Sequence, residues 1–83
     1  MKYQAEYTPH VLNQLLQLDS YVLRFIMSFI QNNIHDKNNP LNRSRQLNPN
    51  MQKNLHYRLG EFRILAYLDN DIITILSIER SSL

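Results

Sequence analysis

Residues 55–82 read LHYRLGEFRILAYLDNDIITILSIERSS, and their spacing decides the fold. Leu55, Tyr57 and Leu59 alternate with His56 and Arg58, the two-residue period of a strand with one buried and one wet face. Gly60-Glu61 supplies a turn, glycine being able to take the positive φ that a tight hairpin often needs. A second strand runs over residues 62–68, Asp69-Asn70-Asp71 forms the next turn, and residues 72–78 make a third, nearly all-apolar strand rich in β-branched side chains. The stretch is a three-stranded antiparallel meander.

At the other end of the chain, Tyr3, Ala5 and Tyr7 alternate with Lys2, Gln4 and Glu6, a short strand expected to pair with the meander. Thr8-Pro9 has the form of an N-cap followed by proline at the first helical position. Val11, Leu12, Leu15, Leu16 and Leu18 then give a helix its apolar stripe. Asp19 or Ser20 caps a second helix, in which Val22, Leu23, Ile26, Phe29, Ile30 and Ile34 recur at three- and four-residue intervals. So short a connection makes an antiparallel helical hairpin, sized to cover one side of a small sheet. Phe25, Met27 and Phe29 serve that core, or else a partner-binding groove.

Between His35 and Gln52 the periodicity fails. Asn38, Asn39, Asn42, Asn48 and Asn50, with Pro40 and Pro49, carry turn chemistry and predict a long polar loop. The element order is therefore β-α-α-β-β-β, an α+β fold with a helical hairpin on one face of a small antiparallel-rich sheet.

At 83 residues the chain is one domain, residues 1–83, with room for a single core. It has no cysteine, which excludes disulfides and thiolate chemistry. No apolar run is long enough to span a bilayer, and the first residues lack the apolar core of a signal peptide, so the expectation is a soluble, cytoplasmic protein with no membrane association. His10, His35 and His56 are scattered without ligand spacing, so neither metal nor cofactor is expected.

The formal net charge is only +2, but its distribution is uneven. Lys37, Arg43, Arg45, Lys53, Arg58 and Arg63 fall within residues 37–63 against one acid, Glu61. That balance suits a polyanion or an acidic protein partner. Arg58, Arg63 and Arg80 lie at or near the ends of three adjacent strands, with His56 two residues before Arg58. If their outward faces coincide, they form a cationic patch with one titratable imidazole, suited to a phosphodiester. The plainer alternative is that they solubilise the wet face of the sheet. Tyr57, in phase with Leu55 and Leu59, belongs to the core rather than to a stacking surface.

Two stretches resemble a known family. Tyr3-Gln4-Ala5-Glu6-Tyr7-Thr8-Pro9 before a leucine-rich helix looks like the opening of RelE/ParE toxins of bacterial type II toxin–antitoxin modules. Tyr57-Arg58-Leu59-Gly60-Glu61-Phe62-Arg63-Ile64-Leu65 is similar to the hairpin of that superfamily. Ile78-Glu79-Arg80-Ser81-Ser82 sits where its terminal arginine motif often stands. The resemblance implies a RelE-like microbial ribonuclease-type fold and, for the RelE-like branch, a metal-independent endoribonuclease that cuts messenger RNA on the ribosome. ParE-like members instead inhibit DNA gyrase without catalysis, and a degenerate toxin would only bind its antitoxin. Each is neutralised by a cognate antitoxin, and operator DNA is reached only through that complex.

Carried over residue by residue, Arg63 matches the arginine that contacts the scissile phosphate, and Arg80 matches the terminal-motif arginine, a second phosphate clamp. His56 is the general acid–base candidate, its reference pKa lying near 6.5. Glu79 and Glu61 are alternative bases. Lys53, Arg58, Arg43 and Arg45 would bind RNA phosphates. The chain departs from the best-known members in carrying Asn54 and His56 where they carry a lysine pair, and Glu79 where a histidine often stands. It also ends at Leu83, before the tyrosine that frequently follows and that can stack on a base.

Overall fold

The computed structural model describes residues 2–37, 44–46 and 53–80. Arg43, most of the loop over 38–52 and Ser81-Ser82 of the terminal motif lie outside the described residues. Strand β1 (Gln4–Tyr7) leads into helices α1 (Pro9–Leu16) and α2 (Ser20–Asn33), followed by strands β2 (Ser44–Gln46), β3 (Asn54–Leu59), β4 (Phe62–Asp69) and β5 (Ile72–Arg80). The strands form one sheet in the order β1-β5-β4-β3-β2, antiparallel except for β1, which runs parallel to β5. This is the expected α+β arrangement with one addition. β2 lies within the stretch expected to be loop. Ser-Arg-Gln has no apolar alternation to announce a strand, and these residues join the sheet through their pairing with Leu55–Tyr57 of β3.

Local chemistry accounts for the helix starts. Thr8 Oγ1 accepts the Val11 backbone N–H at 3.1 Å, with Pro9 at the first helical position, and Asp19 Oδ1 accepts that of Val22 at 2.9 Å. Both hairpin turns place a positive φ at their first residue, Gly60 at 58° and Asn70 at 55°, which glycine and asparagine tolerate. The outer edge of β1 is partly occupied by the segment after α2. Tyr3 exchanges backbone bonds with Asp36 and Lys37, and the Ala5 N–H donates to His35 Nδ1 at 3.1 Å.

The helices cover one face of the sheet. Val11 and Leu15 of α1 and Ile26, Phe29 and Ile30 of α2 are buried against Leu55, Tyr57, Phe62, Ile64, Ala66, Ile73, Ile75 and Ile78. Tyr57 is fully buried, as its phase predicts, and Phe29 meets its ring edge-on at 6.1 Å.

One irregularity matters beyond packing. Between Leu65 and Ala66 of β4 the register with β5 slips: Leu65 faces Ser77 and Ala66 faces Ile75, so Leu76 is an extra residue. Strict alternation from Ile73 and Ile75 would aim Ser77 and Glu79 at the helices. The bulge instead buries Ile78 and turns Glu79 outward. The Gln14 side chain of α1 secures this end of β5, accepting the Ile78 N–H and donating to the Ile78 carbonyl, both at 2.9 Å.

Burial raises the Tyr57 phenol well above its ordinary pKa of 10.0, and raises Tyr7 in the same direction. The unfolded chain therefore loses these protons first as pH rises, so stability is unaffected by them below about pH 10 and falls above it. Urea unfolding between pH 9 and 12 should show a shallower alkaline decline in Tyr57→Phe than in wild type.

Candidate functional site

The sheet face away from the helices carries most of the polar side chains of β3, β4 and β5, with Leu65, Ile72 and Leu76 among them. Arg58, Arg63 and Glu79 form one row across β3, β4 and β5, because Arg58 pairs with Arg63 and Arg63 with Glu79. Arg63 Nη2 lies 3.5 Å from Glu79 Oε1, both side chains being about half exposed. Such a pair contributes at most about 1 kcal/mol to folding, so Arg63 can exchange its carboxylate for another anion at small cost. Two arginines directly opposite each other repel, an arrangement that a bound anion relieves.

The next row joins His56, Leu65 and Ser77, with Arg45 of β2 opposite His56 in register. His56 is half-buried, one strand across and two residues along from Arg63, a Cα separation of roughly 8 Å from sheet spacings. A third row holds Asn54, Tyr67 and Thr74 and ends on Glu6 of β1. Lys53 is exposed beside it, its carbonyl accepting the Leu68 N–H at 2.7 Å. Among the described residues, no three His, Asp or Glu side chains cluster closely enough to hold a metal ion.

Arg80 stands apart from these residues. It pairs with Phe62 on the helix side of the sheet, its guanidinium 4.9 Å from the Phe62 ring centre and its Nε 3.7 Å from Glu61 Oε1. With Gln14, Gln17, Leu18, Phe62 and Ile78 it lines a separate open cavity of about 270 Å³. The bulge is the reason: it exchanges the faces of Glu79 and Arg80 relative to strict alternation. The face therefore unites Arg63, Arg58, Glu79 and His56, with Arg45 in register, and leaves out Arg80. Arg43 lies outside the described residues. Tyr67, in phase with Arg63 and Leu65, lies on the same face.

The arrangement supplies two guanidinium groups for an anion, a carboxylate against one of them and an imidazole nearby. These are groups that general acid–base chemistry on a phosphodiester uses.

Elsewhere, Leu12, Leu15, Leu16, Leu23 and Met27 line an apolar groove of about 490 Å³ between the helices. Leu16 is 84% exposed, whereas Phe29 belongs to the core. No helix among the described residues is long and apolar enough to cross a membrane.

No family model and no curated protein sequence matches the chain. Solved structures do. A chain of the toxin–antitoxin complex RelBE2 from Mycobacterium tuberculosis matches with a TM-score of 0.81 at 20% identity, over 96% of this chain and 92% of that one. The RelE–RelB complex from Pyrococcus horikoshii gives 0.72 at 18%, over 96% of both chains. The YoeB–YefM complex from Staphylococcus aureus gives 0.68 at 17%, over 99% of this chain and 100% of that one. The resemblance read from the hairpin therefore holds at the level of fold.

The bulge can be checked through neighbouring residues. Ile78→Ala should cost roughly 2–5 kcal/mol, while Glu79→Gln should cost under about 1 kcal/mol, both measured by urea unfolding. With strict alternation Ile78 would face outward, and Ile78→Ala would cost under about 1 kcal/mol.

Proposed function

We propose that this protein is the toxin of a type II toxin–antitoxin module, acting in the cytoplasm as a ribosome-dependent endoribonuclease on messenger RNA. The observation that carries this reading is the open-face row of Arg58, Arg63 and Glu79, on a fold shared with chains of toxin–antitoxin complexes. In the proposed reaction Glu79 takes the proton from a ribose 2′-hydroxyl, and that oxygen attacks the adjacent phosphorus. Arg63 and Arg58 stabilise the charge growing on the phosphoryl oxygens. The bond to the 5′-oxygen breaks, His56 supplies its proton, and the products are a 2′,3′-cyclic phosphate and a free 5′-hydroxyl. Lys53, Arg45 and Arg43 are proposed to hold flanking phosphates. No metal takes part.

One observation favours a second reading. Arg80 is turned to the helix side, away from Arg63, so one cation of the expected clamp is missing from the face. A non-catalytic inhibitor of DNA gyrase needs no such convergence.

Induced expression of wild type beside Arg63→Ala, with primer extension on a reporter message, separates the two. The ribonuclease reading expects growth arrest with cuts inside translated codons, and at least a roughly hundredfold slower cleavage in the variant. Arrest without cuts, together with loss of supercoiling activity in vitro, would establish the gyrase reading instead.

The proposed antitoxin is the product of the neighbouring gene, a segment that folds on binding. The groove lined by Leu12, Leu16, Leu23 and Met27 leaves apolar surface that such a segment would cover, and the cationic face suits its acidic residues. Binding should raise the melting temperature of the toxin. Leu16→Glu should remove most of that gain while leaving the isolated chain's melting temperature nearly unchanged, because Leu16 is exposed there.

A further inference from the structure

We infer that Tyr67 is a base-stacking platform, which holds a nucleobase of the message beside the phosphate bound at Arg63. The inference rests on the ribonuclease reading above and adds to it a binding residue for the RNA strand.

Among the described residues, Tyr67 is the one aromatic side chain that the register puts on the open face of β3, β4 and β5. Tyr57 and Phe62 are buried on the helix side, whereas Tyr67 is 39% exposed. It shares a phase with Arg63 and Leu65, so the three side chains follow one line along β4. Tyr67 lies four positions along β4 from Arg63, roughly 13 Å, a span that one or two nucleotides can bridge. Its neighbours across the sheet are Asn54 and Thr74, both smaller side chains.

Charge sets the direction. Arg58 and Arg63 lie at one end of this line, whereas exposed Lys53 lies past its other end beside Leu68, in phase with the buried Leu55 and Tyr57 and not with Asn54, the cross-strand partner of Tyr67. Glu6 and Asp69 lie beyond Tyr67, toward β1 and the second hairpin turn. A polyanionic strand is therefore favoured along the cationic side and opposed past the ring. Single-stranded RNA is recognised through splayed bases stacked on aromatic rings, with phosphates held by cations. The sequence Arg63, Leu65, Tyr67 offers that pairing of groups. Stacking of this kind tolerates every base, so Tyr67 sets the register of the strand at the cut and not the identity of the nucleotide.

The test is single-turnover cleavage on programmed ribosomes carrying either an intact message or one with a single abasic nucleotide one or two positions from the cut. On the intact message Tyr67→Ala should slow cleavage roughly tenfold, with Tyr67→Phe close to wild type and Tyr67→Leu resembling the alanine variant. On the abasic message wild type should already be slow, and Tyr67→Ala should cost nothing further. Equal slowing of both messages, or none, with Arg63→Ala still inactive, would overturn the platform and leave the ribonuclease reading standing. If wild type does not cut, or Arg63→Ala cuts as well as wild type, the ribonuclease reading falls and the platform with it.

Discussion

The structure depends on burying one face of the sheet and only one. The two short helices have enough apolar surface to cover a single layer, and β3 and β4 answer by alternating buried and exposed side chains. β5 is where this demand conflicts with its own sequence. Straight alternation would send Ser77 and Glu79 into the core and Ile78 outward. An unpaired carboxylate in an apolar core costs far more than one irregular residue, so the strand bulges at Leu76 and buries Ile78. Gln14 then completes the backbone bonding of Ile78 where β1 has already ended.

That accommodation in the core determines the chemistry of the opposite face. By shifting phase once, the bulge brings Glu79 beside Arg63 and moves Arg80 over Phe62. A carboxylate near an arginine is a different device from two arginines together. It pairs a potential base with a charge stabiliser, whereas a double clamp would supply binding alone. Arg58, opposite Arg63, keeps the row positive, and the weak exposed ion pair leaves Arg63 open to exchange.

Similar folds in toxin–antitoxin complexes agree with the scaffold but do not by themselves decide what it does, since one scaffold can carry several activities. The functional reading rests instead on which side chains share the open face. Arg63, Glu79 and His56 share that face, and the proposed ribonuclease reading is built on them. The apolar groove between the helices lies on the other side of the molecule from that row.

The sequence by itself determined the order of every element but β2, both hairpin turns, the helix caps and the burial of Tyr57, because each rests on local periodicity or on one residue's backbone preference. It also singled out Arg63, whose place in the hairpin is set by the turn three residues before it. Three features were decided only in the tertiary structure. β2 is a strand because β3 offers it an edge, and nothing in Ser-Arg-Gln requires one. β1 lies parallel to β5, a long-range pairing that its alternation does not specify. Which of Glu79 and Arg80 joins Arg63 turned on a single extra residue in β5. Strand periodicity assigns faces only while the phase is unbroken, and the helices packed against the sheet determined where it broke.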